Sequence, residues 1–252
     1  MGMLYVIGNY INLGTLSSVS TEDSVYPKEN MYDLAQSIPW RMTAKSGHAI
    51  FDLGTDVPTV LGIMNHNLVG TGAFSLTLKT AAAEGGLVGA VAENIAWHDH
   101  NIWHAIASTP LQWWRIDWSD PDNTSNLELG EIILYTSSTF TMNYWWPYKE
   151  GMAYVVDEHV THFGRRHRIR RAKKKVFTLD FEGVTDANFI SEIETFFEAF
   201  DGDQPFIFIP DDTLADSWYV ECLNSLEAQR IFIDQNKFFL KLEEQSRGIT
   251  LL

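Results

Sequence analysis

A short stretch of the chain, residues 97–104, concentrates side chains that can bind ligands, because it contains two Trp, three His, one Asp and one Asn. Imidazole and carboxylate groups suit zinc or a similar ion when a loop presents them. An exposed indole can instead stack on a sugar ring while His, Asp and Asn hydrogen-bond its hydroxyls. A third interpretation is a loop that packs its tryptophans and exposes its histidines. The glycan interpretation rests on Trp97, His98, Asp99, His100 and Trp103, and no metal-ligand set is assigned.

Catalytic motifs are missing from the sequence. It contains no Gly-x-Ser-x-Gly elbow, no phosphate-binding Gly-Lys loop and no His-Glu-x-x-His motif. The single cysteine, Cys222, has no second sulfur for a disulfide or zinc site and no neighbour that would activate its thiol. Glycoside hydrolysis would need two acids, from Asp99, Asp117 and Asp120, placed across a sugar, but Asp is common in turns. We therefore expect no enzyme activity, no catalytic residues and no cofactor, with a glycan-degrading enzyme kept as an alternative.

Charge is unevenly distributed along the chain, whose formal net charge is −15. The stretch 165–175 contains eight basic residues and no acid: Arg165, Arg166, Arg168, Arg170, Arg171, Lys173, Lys174 and Lys175. The acidic balance opposes sustained DNA binding, because phosphate contacts need a basic surface. The alternation near residues 168–170 favours an extended arm between subunits, because a basic segment attracts acidic copies of the same chain. A solvated face and a DNA contact are the alternatives.

The first part of the chain carries the signals of an antiparallel β protein, with short apolar or alternating runs between Gly, Pro, Asn and Asp. Strands are predicted at Ala49–Leu53, Val57–Met64, Phe74–Lys79, Trp113–Trp118, Leu127–Tyr135 and Ala153–Val156. Their spacing is typical of a sandwich. Thr80–Ala92 is interpreted as a surface insertion, either a loop or a small-residue helix. The aromatic run Asn143–Tyr148 is expected in a core edge or against a neighbouring subunit.

The pattern changes near Asp157–Gly164, where we place the domain boundary. A strand at Val176–Phe181 precedes a helix with Thr185 as N-cap and Gly202 at its end. The helix has an apolar face made of Phe189, Ile193, Phe196, Phe197 and Phe200. Further strands are predicted at Pro205–Ile209, Trp218–Leu223, Arg230–Ile233 and Lys237–Glu243. The predicted fold is therefore mainly β, with a β-sandwich at 1–157 and a small α+β domain at 158–252 whose sheet edges require pairing.

These residues resemble a known family. Val-Phe-Thr-Leu-Asp-Phe (176–181), the helix and Gln-Pro-Phe-Ile-Phe-Ile-Pro-Asp-Asp (204–212) resemble the ring-forming, tail-tube-like domain of phage distal tail and minor tail proteins. Ile-Phe-Asp-Leu-Gly (50–54), residues 57–68, Trp-Trp-Arg-Ile-Asp-Trp (113–118) and Leu-Gly-Glu-Ile-Ile-Leu (129–134) resemble a galactose-binding-like, discoidin-type jelly roll. The chain departs from better-known distal tail proteins, because its sandwich comes before the ring elements.

The resemblance implies a structural protein of a bacteriophage tail tip or baseplate. In that family, the tube-like domain forms a homo-oligomeric ring, commonly a hexamer, that links the tail tube protein to other tail-tip proteins. DNA passes through the channel without stable binding. The expected location is the virion, after assembly in the host cytoplasm, and the absence of a long apolar run predicts no membrane insertion. The alternative function is a carbohydrate-binding module that recognises a host-surface glycan.

Overall fold

The computed structural model describes residues 4–6, 8, 11, 14–33, 38–99, 101–107, 109, 111–140, 148–160, 162, 165–199, 204–210 and 217–245. The chain divides into two compact units. The first, called the sandwich unit, comprises Gly8–Ser138 and Thr213–Ser217. The second, called the sheet–helix unit, comprises Met1–Ile7, Thr139–Asp212 and Trp218–Leu252. The sandwich unit is therefore an insertion in the chain of the sheet–helix unit.

Strands are the main regular elements of the described structure. They are β1 (Leu4–Val6), β2 (Thr15–Val19), β3 (Trp40–Arg41), β4 (Ser46–Asp52), β5 (Val60–Met64), β6 (Ser75–Ala81), β7 (Glu93–Asn94), β8 (Ile102–Ala105), β9 (Trp113–Ser119), β10 (Glu128–Leu129), β11 (Glu131–Tyr135), β12 (Ser138–Thr139), β13 (Lys149–Val160), β14 (Arg166–Val184), β15 (Phe206–Ile209), β16 (Trp218–Cys222), β17 (Gln229–Phe232) and β18 (Gln235–Glu244).

Helical structure is limited in the described residues. Short 3-10 helices span Lys28–Met31 and Glu84–Val88. An α-helix at Asp186–Asn188, a π-helix at Phe189–Glu194 and an α-helix at Thr195–Ala199 follow one another without a break, and together they are called α1. No helix among the described residues has the length and apolar character needed to span a membrane.

The sandwich unit contains a five-stranded antiparallel sheet, in the order β2-β4-β9-β6-β7, and a three-stranded sheet, β11-β5-β8. Strand β9 shows how the sequence builds it, because Trp114, Ile116 and Trp118 are buried while Arg115 and Asp117 alternate with them on the opposite face. One apolar core contains residues from both sheets, so the sheets pack face to face. This arrangement confirms the predicted β-sandwich and the mainly β fold.

The sheet–helix unit contains an eight-stranded sheet, in the order β12-β1-β15-β16-β18-β14-β13, with β17 beside β18. Its core joins apolar residues of α1 to the sheet, including Ile193 and Phe196 from α1. Thr185 is the N-cap as predicted, because its hydroxyl accepts a hydrogen bond from the backbone N–H of Asn188 at 3.3 Å. The π-helical centre of α1 was not predicted. Phe200 and Gly202 lie outside the described residues.

The predicted boundary between the domains differs from the observed one. Strand β13 pairs with β14 from Lys149↔Thr178 to Val160↔Arg166, so a division at Asp157 would cut one continuous ladder. The first strand also belongs to the second unit, because Leu4 pairs with Ile209 and Val6 with Ile207. Hydrogen bonding between segments distant in sequence therefore sets the boundary, and the local change in composition does not mark it.

The long hairpin extends beyond the sheet that carries it. Strand β14 pairs with β18 only from Val176 to Val184. Residues 152–160 and 166–175 thus form a two-stranded extension, called the ribbon, in which neither outer edge is paired by any strand of the described chain. Nine residues of β13 at about 3.4 Å each make the ribbon roughly 30 Å long.

Candidate functional site

The predicted glycan-binding segment lies in the loop between β7 and β8 of the sandwich unit. Trp97 has 38% of its surface exposed, and its Nε1 donates a hydrogen bond to the carbonyl oxygen of Leu68 at 3.2 Å. Its ring packs against Gly70, whose φ is +70° and where a Cβ would come within 2.3 Å of the indole. Only glycine tolerates both this conformation and this approach. The indole is therefore held in one orientation while part of it remains accessible.

The other residues of this segment differ in accessibility. His98 Nδ1 lies 3.4 Å from Asp99 Oδ1, and both side chains are accessible to solvent. His100 lies outside the described residues. Trp103 occupies β8 opposite Gly62 and is only 8% exposed, so the expectation that its ring faces a ligand is corrected. The arrangement offers one indole beside an imidazole and a carboxylate, which suits a shallow contact with a polyhydroxylated ligand.

Two buried polar side chains hold the neighbouring loop in place, a structural role that the sequence did not indicate. Asp120 is fully buried, and its Oδ2 accepts a hydrogen bond from the backbone N–H of Val69 at 2.6 Å. Asn123 donates from Nδ2 to the carbonyl oxygen of Asn67 at 2.7 Å. Buried polar groups bonded in this way fix a loop conformation. The loop that carries Gly70 is therefore held both by these buried side chains and by the indole of Trp97.

The three aspartates considered for glycoside hydrolysis occupy different environments. Asp99 is exposed, Asp120 is buried, and Asp117 lies on the outer face of the five-stranded sheet. Burial raises the pKa of Asp117, but hydrogen bonds from Arg115 and Lys79 outweigh burial and hold that pKa below its usual value. A general acid needs a raised pKa. Asp117 is therefore an ion-paired carboxylate that stabilises the sheet surface.

The described residues contain neither a cluster of metal-ligating side chains nor an activated thiol. Within the described part of the chain, no group of three or more His, Cys, Asp or Glu side chains could hold a metal ion. Cys222 is partly buried in β16, and burial raises the pKa of its thiol. A raised pKa keeps the thiol protonated and weakly nucleophilic.

The predicted basic arm coincides with the ribbon and the start of the sheet. Arg165, Arg166, Arg168 and Lys173 are exposed there. Lys174 instead contacts Glu243, with Nζ 2.7 Å from Oε1, and Lys175 pairs with Glu150 and lies over the Trp218 ring. Both lysines therefore make contacts within the sheet–helix unit. The side chains of Arg170 and Arg171 are outside the described set.

Apolar side chains accompany these cations on the ribbon. Five of its residues expose between 41% and 52% of their surface: Met152, Tyr154, Val155, Val156 and Val160. A two-stranded ribbon of this kind buries little of its own apolar surface. The aromatic run expected at a core edge or interface is described only at Tyr148, which packs near Phe177 with ring centroids 6.1 Å apart.

No protein-family model and no curated protein matches the chain. Several solved structures match about half of the chain at low identity. One, CpGH89CBM32-6 produced by Clostridium perfringens, is 14% identical over 50% of this chain and 98% of that chain, with a TM-score of 0.36. Reduced XRCC1 bound to the DNA pol beta catalytic domain is 14% identical over 54% and 99%, with a TM-score of 0.37. The Ruminococcus gnavus GH29 fucosidase E1_10125 in complex with fucose is 16% identical over 52% and 27%, with a TM-score of 0.39.

These matches are a distant structural similarity to galactose-binding-like, CBM32-type β-sandwich domains. The similarity concerns the fold only. The assignment of surfaces in this chain therefore rests on its own geometry.

Proposed function

We propose that this protein is a structural subunit that assembles with copies of itself through the ribbon, as part of a bacteriophage tail tip. In that role the sheet–helix unit forms a homo-oligomeric ring, a hexamer as the resemblance implies, that links the tail tube to other tip proteins around the DNA channel. The single observation that supports self-assembly is the two-stranded ribbon with unpaired edges and exposed apolar side chains.

The stability of the ribbon is the first physical argument. An isolated two-stranded hairpin is marginally stable in water, because it buries too little apolar surface to offset the ordering of its backbone. An unpaired strand edge also exposes a row of N–H and C=O groups that can pair with another chain. Contact with a partner would bury Val155, Val156 and Val160 and satisfy these groups. The ribbon is therefore best explained as an interaction element.

Charge is the second argument, because it favours one kind of partner. The ribbon carries exposed Arg166 and Arg168, whereas the whole chain has a net charge of −15. Electrostatic attraction then favours the acidic surface of another copy. The same acidic balance opposes stable binding of DNA, which suits a channel through which DNA slides. No catalytic step and no cofactor form part of this proposal.

Assembly of the purified chain is expected to depend on salt concentration. At low salt, light scattering and negative-stain imaging are expected to show closed multi-subunit particles, because screening of the ribbon charges is weak. Higher salt is expected to shift the population toward smaller species. A monomer at every salt and protein concentration, alone and with neighbouring tail proteins, would contradict the proposal.

A carbohydrate-binding module is the second candidate function. It is favoured by one observation, the fixed and partly exposed indole of Trp97 beside His98 and Asp99. On a glycan array the whole chain is expected to bind a host-surface glycan, and Trp97→Ala is expected to weaken that binding about tenfold or more. Val88→Ala, at an exposed apolar position elsewhere in the sandwich unit, is the matched control. Equal binding by both variants would exclude Trp97 as the contact.

A further inference from the structure

Exposed apolar side chains lie on α1 and in the turn between β17 and β18, which contacts the start of that helix. Ile233 in this turn is 97% exposed, Phe232 before it is 68% exposed, and Ile190 on α1 is 59% exposed. Glu194 and Glu198 follow Ile190 at intervals of four residues, which places them near one stripe of the helix. These five residues are called the helix–turn surface.

The helix–turn surface is held in a fixed shape by Asp186 at the start of α1. Asp186 pairs with Arg230 of β17, and its Oδ1 accepts a hydrogen bond from Asn236 Nδ2 at 2.6 Å. The backbone N–H of Asp186 donates to Oδ1 of Asp234, the second turn residue, at 3.3 Å. These contacts therefore connect the turn to the start of the helix. Apolar side chains presented on such a fixed support lose little further entropy when a partner covers them.

The charge of this surface is opposite to that of the ribbon. Helix α1 contains Asp186, Glu192, Glu194 and Glu198 and neither Lys nor Arg. Arg230, the cation at its edge, is already paired with Asp186. The helix–turn surface thus combines exposed Ile and Phe side chains with the acidic side chains of Glu194 and Glu198.

The ribbon shows the complementary combination. Residues paired across an antiparallel ladder share a face, so the pairs Glu158↔Arg168 and Val160↔Arg166 place two arginines beside a valine. Glu158 contacts both Arg166 and Arg168, at 3.4 and 2.8 Å. Because two arginines face one carboxylate, this face keeps a net positive charge. Each surface therefore presents apolar side chains beside charged ones, and the charges are positive on the ribbon and negative on the helix–turn surface.

We infer that the ribbon of one copy docks on the helix–turn surface of the next copy. The inference rests on the proposed function, because it names the acceptor for the same self-assembly. Contact between two different surfaces of one chain is heterologous, and repetition of such a contact generates either a closed ring or a filament. Burial of Ile233 and Phe232 against the ribbon valines supplies the apolar contribution to binding. Arg166 and Arg168 then face Glu194 and Glu198, and these charge pairs set the position of the ribbon on the acceptor surface.

A charge-swap experiment tests this contact by light scattering on the full chain. Arg166→Glu with Arg168→Glu, and separately Glu194→Lys with Glu198→Lys, are each expected to raise the concentration for half-assembly about tenfold or more. The chain with all four substitutions is expected to regain assembly, because opposite charges face each other again. Loss in both double variants without recovery in the fourfold variant would overturn direct pairing. Circular dichroism checks that every variant is folded.

A separate substitution tests the apolar contact. Ile233→Asp is expected to weaken assembly about tenfold or more, whereas Val88→Asp, at another highly exposed aliphatic position, is expected to leave it unchanged. If the unmodified chain assembles and Ile233→Asp assembles equally well, the docking surface is wrong although the proposed self-assembly stands. If the unmodified chain never assembles, the proposed function itself fails.

Discussion

Phe196→Ala is expected to lower the free energy of unfolding of the sheet–helix unit by about 3–5 kcal/mol. Phe196 is fully buried, and its ring centroid lies 4.8 Å from Tyr5, 5.3 Å from Phe140 and 5.2 Å from Phe206. Removing the ring leaves a cavity among neighbours that are themselves rigid aromatic groups, so the site collapses poorly. The edge-to-face ring contacts of Phe196 with these neighbours and with Phe197 are lost in addition to the buried area. Urea denaturation followed by circular dichroism measures the change.

The matched control is Ser191→Ala, an exposed position on the same helix. Its effect should stay within about 0.5 kcal/mol, because it removes no packing and alanine is a good helix former. If Phe196→Ala unfolded at the same urea concentration as the control, α1 would not be packed on the sheet as described, and the helix–turn surface would lose its support.

Removing the ribbon is expected to abolish assembly while the sheet–helix unit stays folded. The design deletes residues 154–173 and joins Ala153 to Lys174 through Asn-Gly. Ala153 and Lys174 are paired across the ladder, and Asn-Gly suits a two-residue hairpin turn. Lys174 keeps its contact with Glu243, and the apolar core lies entirely outside the deleted segment. The expected particle mass is that of a single chain at every salt concentration.

A stability measurement separates the two possible causes of that result. The shortened chain should unfold at a urea concentration close to that of the full chain, because the ribbon buries little apolar surface. Assembly that persists in a stably folded shortened chain would show that another surface joins the copies. A large fall in stability would show instead that the ribbon packs within its own chain.

Elements with a clear side-chain period were predictable from the sequence. Strand β9 was predicted within one residue, because its fully buried and partly buried side chains alternate strictly. Strand β13 was underestimated, since Ala153–Val156 is only the apolar middle of Lys149–Val160 and cross-strand pairing, which has no local signal, forms the rest. Strands β3, β7 and β10 have two residues each, too few to show a period.

The candidate sites were predictable in part. Residue types located the Trp97 loop and the basic run, but they did not separate an accessible indole from a buried one. Trp103 lies opposite Gly62 in the ladder, and a glycine within a strand often marks a place where a large side chain needs room. Lys174 and Lys175 contact carboxylates that are distant in sequence, so no local pattern could show that both lysines are already paired within the chain. The helix–turn surface depends on contacts of the same long-range kind.

The position of the first strand constrains how the protein forms during synthesis. Leu4–Val6 leaves the ribosome early, but its ladder partner, Ile207–Ile209, follows about 200 residues later. Most of the inserted sandwich, Gly8–Ser138, is synthesised well before that and can begin to fold, whereas its last segment, Thr213–Ser217, follows the ladder partner. Strand β1 can meanwhile pair with β12 at one edge, but its other edge stays unpaired until β15 has been synthesised. A chain interrupted before Phe206 therefore lacks the finished sheet.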